Sequence, residues 1–163
     1  MKTIKLLSVL LLTSVSFAQV DFGKKEYFTF SVGIDPTATI ERKSPNLVAE
    51  IELVEKSFYI KAGVQILPAL EGGYIDYAGG AGINITSGIF EEFRYYGGVR
   101  LGVIKRESYS YPLFGFEGGI DYNISESTFI GLRSTYDKRT DFEFWGGETE
   151  YRLSGFIRLG VKF

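Results

Sequence analysis

Cysteine and histidine are both absent from the 163 residues of this chain. Without cysteine there is no disulfide, thiolate nucleophile or thiolate metal site, and without histidine there is no imidazole ligand and no Ser-His-Asp arrangement. The commonest routes to metal binding and covalent catalysis are closed, so neither a cofactor nor an enzymatic activity is expected. Beyond residue 18 no apolar run approaches the roughly 20 residues that a membrane helix needs. An excess of one charge is lacking too: 18 basic residues stand against 20 acidic ones, and nothing in that balance points to nucleic acid.

The amino terminus has the makings of an export signal. Lys2 and Lys5 precede the apolar stretch LLSVLLL at 6–12, and Ser16-Phe17-Ala18 supplies a small-x-small cleavage pattern before Gln19. The apolar stretch is too short to anchor the chain in a bilayer. We therefore expect a cleaved signal peptide over 1–18 and one domain over 19–163. Removal of the two lysines leaves 16 basic against 20 acidic side chains.

What the chain does have is glycine, tyrosine and phenylalanine, 20, 11 and 14 of them, threaded through segments that alternate between apolar and polar. Such alternation places one set of side chains on each face of a strand. It predicts eight strands, at about 26–35, 46–55, 57–66, 73–86, 92–105, 111–123, 127–137 and 151–163. The second, fourth and sixth connections are short and polar, while the others are mostly longer, ending with 138–150. The spacing predicts an all-β, eight-stranded antiparallel up-and-down barrel of the transmembrane kind. One face is apolar strand after strand, as in Phe58, Ile60, Ala62, Val64 and Ile66. The other carries Asp35, Glu50, Glu52, Asp76, Glu117, Asp121 and Asp137 against Lys61, Arg94, Arg100, Arg133, Arg152, Arg158 and Lys162, seven acids to seven bases.

Periodicity alone also fits a soluble lipocalin-like carrier of small ligands with its two faces exchanged. Charge orients the pattern. An Arg or Lys facing lipid at the bilayer midplane costs roughly 2–4 kcal/mol, so in a membrane these residues must turn inward and pair. Glycines on the charged face, Gly63, Gly98, Gly102, Gly119 and Gly160, leave room for guanidinium groups and for Tyr59, Tyr74 or Tyr96. An eight-stranded barrel is just narrow enough for its own side chains to fill, which argues for a plugged lumen over a narrow porin-like channel. The Gly79–Asn84 run opens no helix and is no nucleotide loop. Glu50 and Glu52 share one strand face and are expected to form structural ion pairs. Tyr27, Phe93, Tyr111, Tyr151 and Phe163 at strand ends are expected to form interfacial girdles.

The last strand ends Leu159-Gly160-Val161-Lys162-Phe163, with apolar residues at alternate positions before a terminal aromatic. This resembles the assembly signal of bacterial outer-membrane barrels, carried here by Leu159, Val161 and Phe163. With the strand count and loop alternation, the chain resembles the family of small outer-membrane β-barrel domains of the OmpA type. The resemblance implies residence in the outer membrane of a Gram-negative bacterium, contact with its lipid, and recognition by the barrel-assembly machinery. It implies no activity. Since barrel walls are committed to lipid and to ion pairs, recognition is left to loops. The longest of these carries Lys138, Arg139, Phe142, Phe144 and Trp145, a candidate surface for an extracellular protein partner.

Overall fold

The computed structural model describes residues 26–55, 57–70, 73–86, 92–145 and 150–163. Eight strands close into a single antiparallel barrel in chain order: β1 Glu26–Ile34, β2 Leu47–Glu55, β3 Phe58–Ile66, β4 Ile75–Thr86, β5 Phe93–Arg106, β6 Tyr109–Asn123, β7 Thr128–Arg139 and β8 Glu150–Lys162. The eight predicted strands are all present. Among the described residues no helix is long and apolar enough to cross a membrane, which says nothing of crossing by strands.

The register defines the barrel. From Thr29, registered partners run through Glu52, Lys61, Gly80, Arg100, Gly115, Asp137 and Arg152, and the β1–β8 pairing extended from Thr29–Lys162 returns to position 39, ten residues along. A stagger of that size in eight strands goes with a strand tilt of about 40°. The termini of the described chain, Glu26 and Phe163, lie at one end. β1 and β8 close the barrel there, with Phe28 and Phe163 exchanging backbone hydrogen bonds of 3.2 and 2.9 Å.

Alternation sorts the side chains as a lipid environment requires. Leu153 is 70% exposed and Ile85 63%, and Phe58, Leu132 and Phe116 share that outer face, while Glu50, Glu52, Lys61, Arg94, Arg133 and Arg158 are buried. A soluble carrier needs the reverse arrangement. Close approach explains two of the inward glycines: a Cβ on Gly98 would sit 2.5 Å from the Tyr59 hydroxyl, and one on Gly119 would strike the Tyr96 ring at 2.5 Å. The two tyrosines meet edge-on at 5.5 Å in the space so left.

Two features at the end away from the termini depart from expectation. A helix, α1 (Pro36–Arg42), occupies the first connection. Asp35 caps it, accepting from the Ala38 N–H at 2.9 Å, and Pro36 suits the first turn because it has no N–H to lose. Lys43 closes it in the left-handed conformation at φ 51°. Asp35, expected among the luminal charges, is used by this cap and by Asn46, whose amide donates to it at 3.2 Å. The fifth connection, expected to be a longer loop, is the two-residue turn Glu107–Ser108, because β5 and β6 continue to Arg106 and Tyr109. Tyr111 is thereby carried inside, away from any girdle, and packs with Leu67, Tyr74, Ile104 and Leu113. Tyr27 likewise faces inward, against Val54, Tyr59 and Tyr96.

Candidate functional site: a charge-filled lumen and its rim

Four acids and four bases form the main cluster inside the barrel. Arg158 holds Asp121 at 2.8 Å and Glu50 at 3.1 Å, and reaches Glu52 at 3.9 Å. Arg133 spans Glu50 at 3.0 Å and Glu117 at 3.1 Å, and Lys61 lies 3.1 Å from Glu117 and 3.9 Å from Glu50. Arg94 binds Glu52 through both terminal nitrogens and Asp121 at 3.2 Å. These groups come from β2, β3, β5, β6, β7 and β8, so the cluster ties together strands remote in sequence. Tyrosines complete it: Tyr59 donates to Glu117 at 2.8 Å, and the Tyr96 ring lies 4.6–5.0 Å from the charges of Lys61, Arg94 and Arg158.

Further from the termini, Arg100 joins Asp76 at 3.2 Å and Asp137 at 2.6 Å. Above it an apolar layer of Leu67, Tyr74, Ile104, Tyr111 and Leu113 crosses the lumen. At the rim, Asp141 receives Arg139 at 2.7 Å and Arg106 at 3.2 Å. Burial pushes the Asp141 carboxyl up, but the hydrogen bond and charge of Arg139, with those of Arg106, outweigh it and hold the group below the ordinary carboxylate range. A cavity of about 10 Å³ between the main cluster and Arg100 has room for about one water. Among the described residues no group of carboxylates could hold a metal ion.

The residues singled out from sequence divide as follows. Glu50, Glu52, Lys61, Asp76, Arg94, Arg100, Glu117, Asp121, Arg133 and Arg158 are brought together inside. Arg152 is half-buried at the open rim of β8, without an ion pair among the described residues. Lys162 donates to Asn123 and lies over the Tyr27 ring at 4.9 Å. Arg139, expected on the outer surface of the loop, is buried instead, because β7 extends to it and turns it inward onto Asp141 and over the Tyr74 ring at 4.3 Å. Phe142 is half-buried under the same guanidinium at 4.9 Å. Lys138 faces outward beside Tyr151. The side chains of Phe144 and Trp145 lie outside the described residues. Leu159 and Phe163 are on the outer face as expected, whereas Val161 is 2% exposed. Sequence reasoning missed Arg106 and Asp141. Arg106 shares the parity of Arg100 and lies one residue past the predicted end of its strand.

No protein-family model and no curated protein matches the sequence. Solved structures are similar to it. The outer membrane protein Ail of Yersinia pestis, in a phospholipid bilayer nanodisc, has a TM-score of 0.54 at 12% identity over 85% of this chain and 99% of its own. The N-terminal β-barrel domain of Pseudomonas aeruginosa OprF gives 0.57 at 10% identity over 86% and 98%. Neisserial surface protein A gives 0.50 at 12% over 85% and 96%. The charged interior, apolar exterior and closed chain-order sheet described above thus sit on the fold of the small eight-stranded outer-membrane β-barrels.

Proposed function

We propose that the chain is an integral outer-membrane barrel, exported by a signal peptide over 1–18, with both termini in the periplasm and a structural or surface-interaction role. The observation that carries this reading is the lumen. Its ion pairs interlock from wall to wall under an apolar layer, and the exterior is apolar where lipid would lie. A pore needs a continuous wet path, which the interlocked charges and the apolar layer over them oppose, and a carrier needs an apolar interior, where this barrel buries charge. Against catalysis stands that the luminal carboxylates Glu50, Glu52, Asp76, Glu117, Asp121 and Asp137 are each held by cations. Recognition then falls to the end away from the termini, with Lys138, Phe142, Phe144 and Trp145 as the proposed contacts.

Planar-bilayer conductance tests the choice. Purified barrel should give no steady open-channel current, and neutralising Arg100 or Glu117 should change little. Stable currents altered by either substitution would establish a channel instead. Recovery from the periplasm as a detergent-free soluble monomer would overturn the membrane assignment itself.

A further inference from the structure

The outer wall has a furrow. On four consecutive strands small residues meet in direct register on the outward face: Gly97 opposite Gly118, Gly118 opposite Ser134, and Ser134 opposite Gly155. Across the last three strands the missing side chains leave an apolar groove of about 420 Å³, flanked by Ile120, Leu132 and Ile157 and ending at Pro36 and Thr37. Ser134 places a hydroxyl on its floor, already donated to the Ser154 carbonyl at 3.2 Å.

At that end the sheet itself is incomplete. β8 pairs with β7 from Glu150 to Val161, but with β1 only from Ile157 to Lys162. Because Phe28 and Phe163 exchange both backbone hydrogen bonds, alternation directs the odd-numbered N–H and C=O groups of β8 towards β1. The β1–β8 register ends at Ile34–Ile157; extended by two residues it would set Gly155 opposite Pro36, which has no N–H, and α1 carries the chain out of line from there. Among the described residues no backbone hydrogen bond joins α1 to β8. Gly155, Leu153 and Tyr151 therefore turn sideways, beside the groove, donors and acceptors that have no backbone partner among the described residues. Tyr151 stacks on Tyr136 at 5.3 Å in the girdle remote from the termini, with Lys138 its registered neighbour. Leu153 and Gly155 lie below that level, in the hydrocarbon, where unpaired backbone is not tolerated.

We propose that this groove and the free edge of β8 bind one molecule of a phosphorylated glycolipid of the outer leaflet. An acyl chain lies over Gly118, Ser134 and Gly155. Its amide and hydroxyl groups pair with the backbone of Leu153 and Tyr151, and a phosphate meets Lys138. Chemistry selects this occupant over a glycerophospholipid: the strand edge offers both donors and acceptors, ester groups only accept, and amide-linked hydroxylated acyl chains do both. A lysine in the girdle selects a negative headgroup. The proposal rests on the membrane reading above.

The test is native mass spectrometry of the detergent-folded chain incubated separately with phosphorylated lipid A, phosphatidylglycerol and phosphatidylcholine. One lipid A adduct should be retained, at occupancy at least about tenfold above either phospholipid. Gly155→Phe should remove most of that adduct, because a Cβ there meets nothing within 4 Å and the ring can fill the groove. Ser134→Leu fills the same groove from its exposed face and should act alike. Lys138→Ala should lower retention of phosphorylated lipid A to that of its dephosphorylated form. Equal retention of phosphatidylglycerol, full retention in both groove variants, or a dimer in place of an adduct would overturn the site. Heat-modifiable gel mobility of the same samples reads the barrel separately: an intact barrel without an adduct refutes the site alone, and a chain soluble without detergent refutes the membrane reading.

Discussion

Substituting Arg94 by Met should damage the barrel more than substituting Arg94 and Glu52 together. In the native lumen Arg94 supplies both close contacts of Glu52; Arg158 is 3.9 Å away and committed to Asp121 and Glu50, and Lys61, the registered neighbour of Glu52 on β3, is committed to Glu117. Arg94→Met therefore leaves a buried carboxylate with no close partner and tips the eight-member cluster from neutral to a net negative charge. Breaking a buried pair from one side costs roughly 3–5 kcal/mol, about a hundredfold or more in the folded-to-unfolded ratio. The double variant Arg94→Met, Glu52→Met removes one charge of each sign and leaves Asp121 its Arg158 contact. Apolar replacement of a whole buried pair is often neutral, so the double variant should lie within about 1 kcal/mol of the native chain. The resulting coupling, on the order of 3 kcal/mol, is read from urea unfolding of all four chains in phospholipid vesicles. If Arg94→Met cost less than about 1 kcal/mol, or if the double variant were worse than the single one, the lumen would be wet enough to screen its charges and the sealed column would be refuted.

Deleting Phe163 removes two backbone hydrogen bonds that close β1 on β8, whereas Phe163→Ala keeps them; heat-modifiable material in outer-membrane fractions should fall sharply for the deletion and, if the aromatic is read by assembly factors, for the alanine variant as well. Normal assembly of both would refute the terminal signal. Asp141 titrates lower in the fold than in the unfolded chain, so its clamp contributes fully above the ordinary carboxylate value of about 3.9 and is lost as pH falls through its lower folded value. Pepsin should accordingly spare the 140–149 loop at pH 4 and cut it near pH 2, and Asp141→Asn should be cut at both; equal cutting of the native chain at both values would refute the clamp. Replacing Phe142, Phe144 and Trp145 together by Ser should leave heat-modifiable folding intact while abolishing cell-surface binding in a pull-down, and undiminished binding would move recognition elsewhere.

The barrel was legible because a membrane strand is written on both faces at once. In β3, Phe58, Ile60, Ala62, Val64 and Ile66 cannot change face with Tyr59, Lys61 and Gln65 without placing a cation in lipid, so register and orientation follow together. The rim was not legible by the same means. α1 is seven residues long, too short for a helical period to show, though Asp35-Pro36 is a cap followed by a first-turn proline. The turn at Glu107–Ser108 carries no glycine or asparagine to mark it, and Glu107 adopts φ 52° regardless. Arg139 and Asp141 meet through a 3₁₀ turn over Thr140–Trp145, where a period of two has no meaning. Arg152 has the parity of an inward residue, but among the described residues β8 has no β1 neighbour at that height, and the side chain is left half-buried.

Electroneutrality survives this reshuffling of members, and that fact says what the sequence pattern was reporting. Among the described residues the inward ion pairs still engage seven acids and seven bases, yet Asp141 replaces Asp35, and Arg106 and Arg139 replace Arg152 and Lys162. A closed lumen constrains the total charge, because any surplus must be desolvated unpaired, but it leaves the positions to local geometry. The balance even fails locally. Asp76, Arg100 and Asp137 carry one surplus acid, and Arg106, Asp141 and Arg139 one surplus base. Tyr74 stands between the two groups, its hydroxyl donating to Asp76 at 2.7 Å and its ring holding the Arg139 guanidinium at 4.3 Å. Opposite surpluses placed on either side of one tyrosine neutralise each other across the apolar layer, so the rim clamp and the luminal column form a single electrostatic unit. The loop that forms the proposed recognition surface is thereby fastened to the barrel interior.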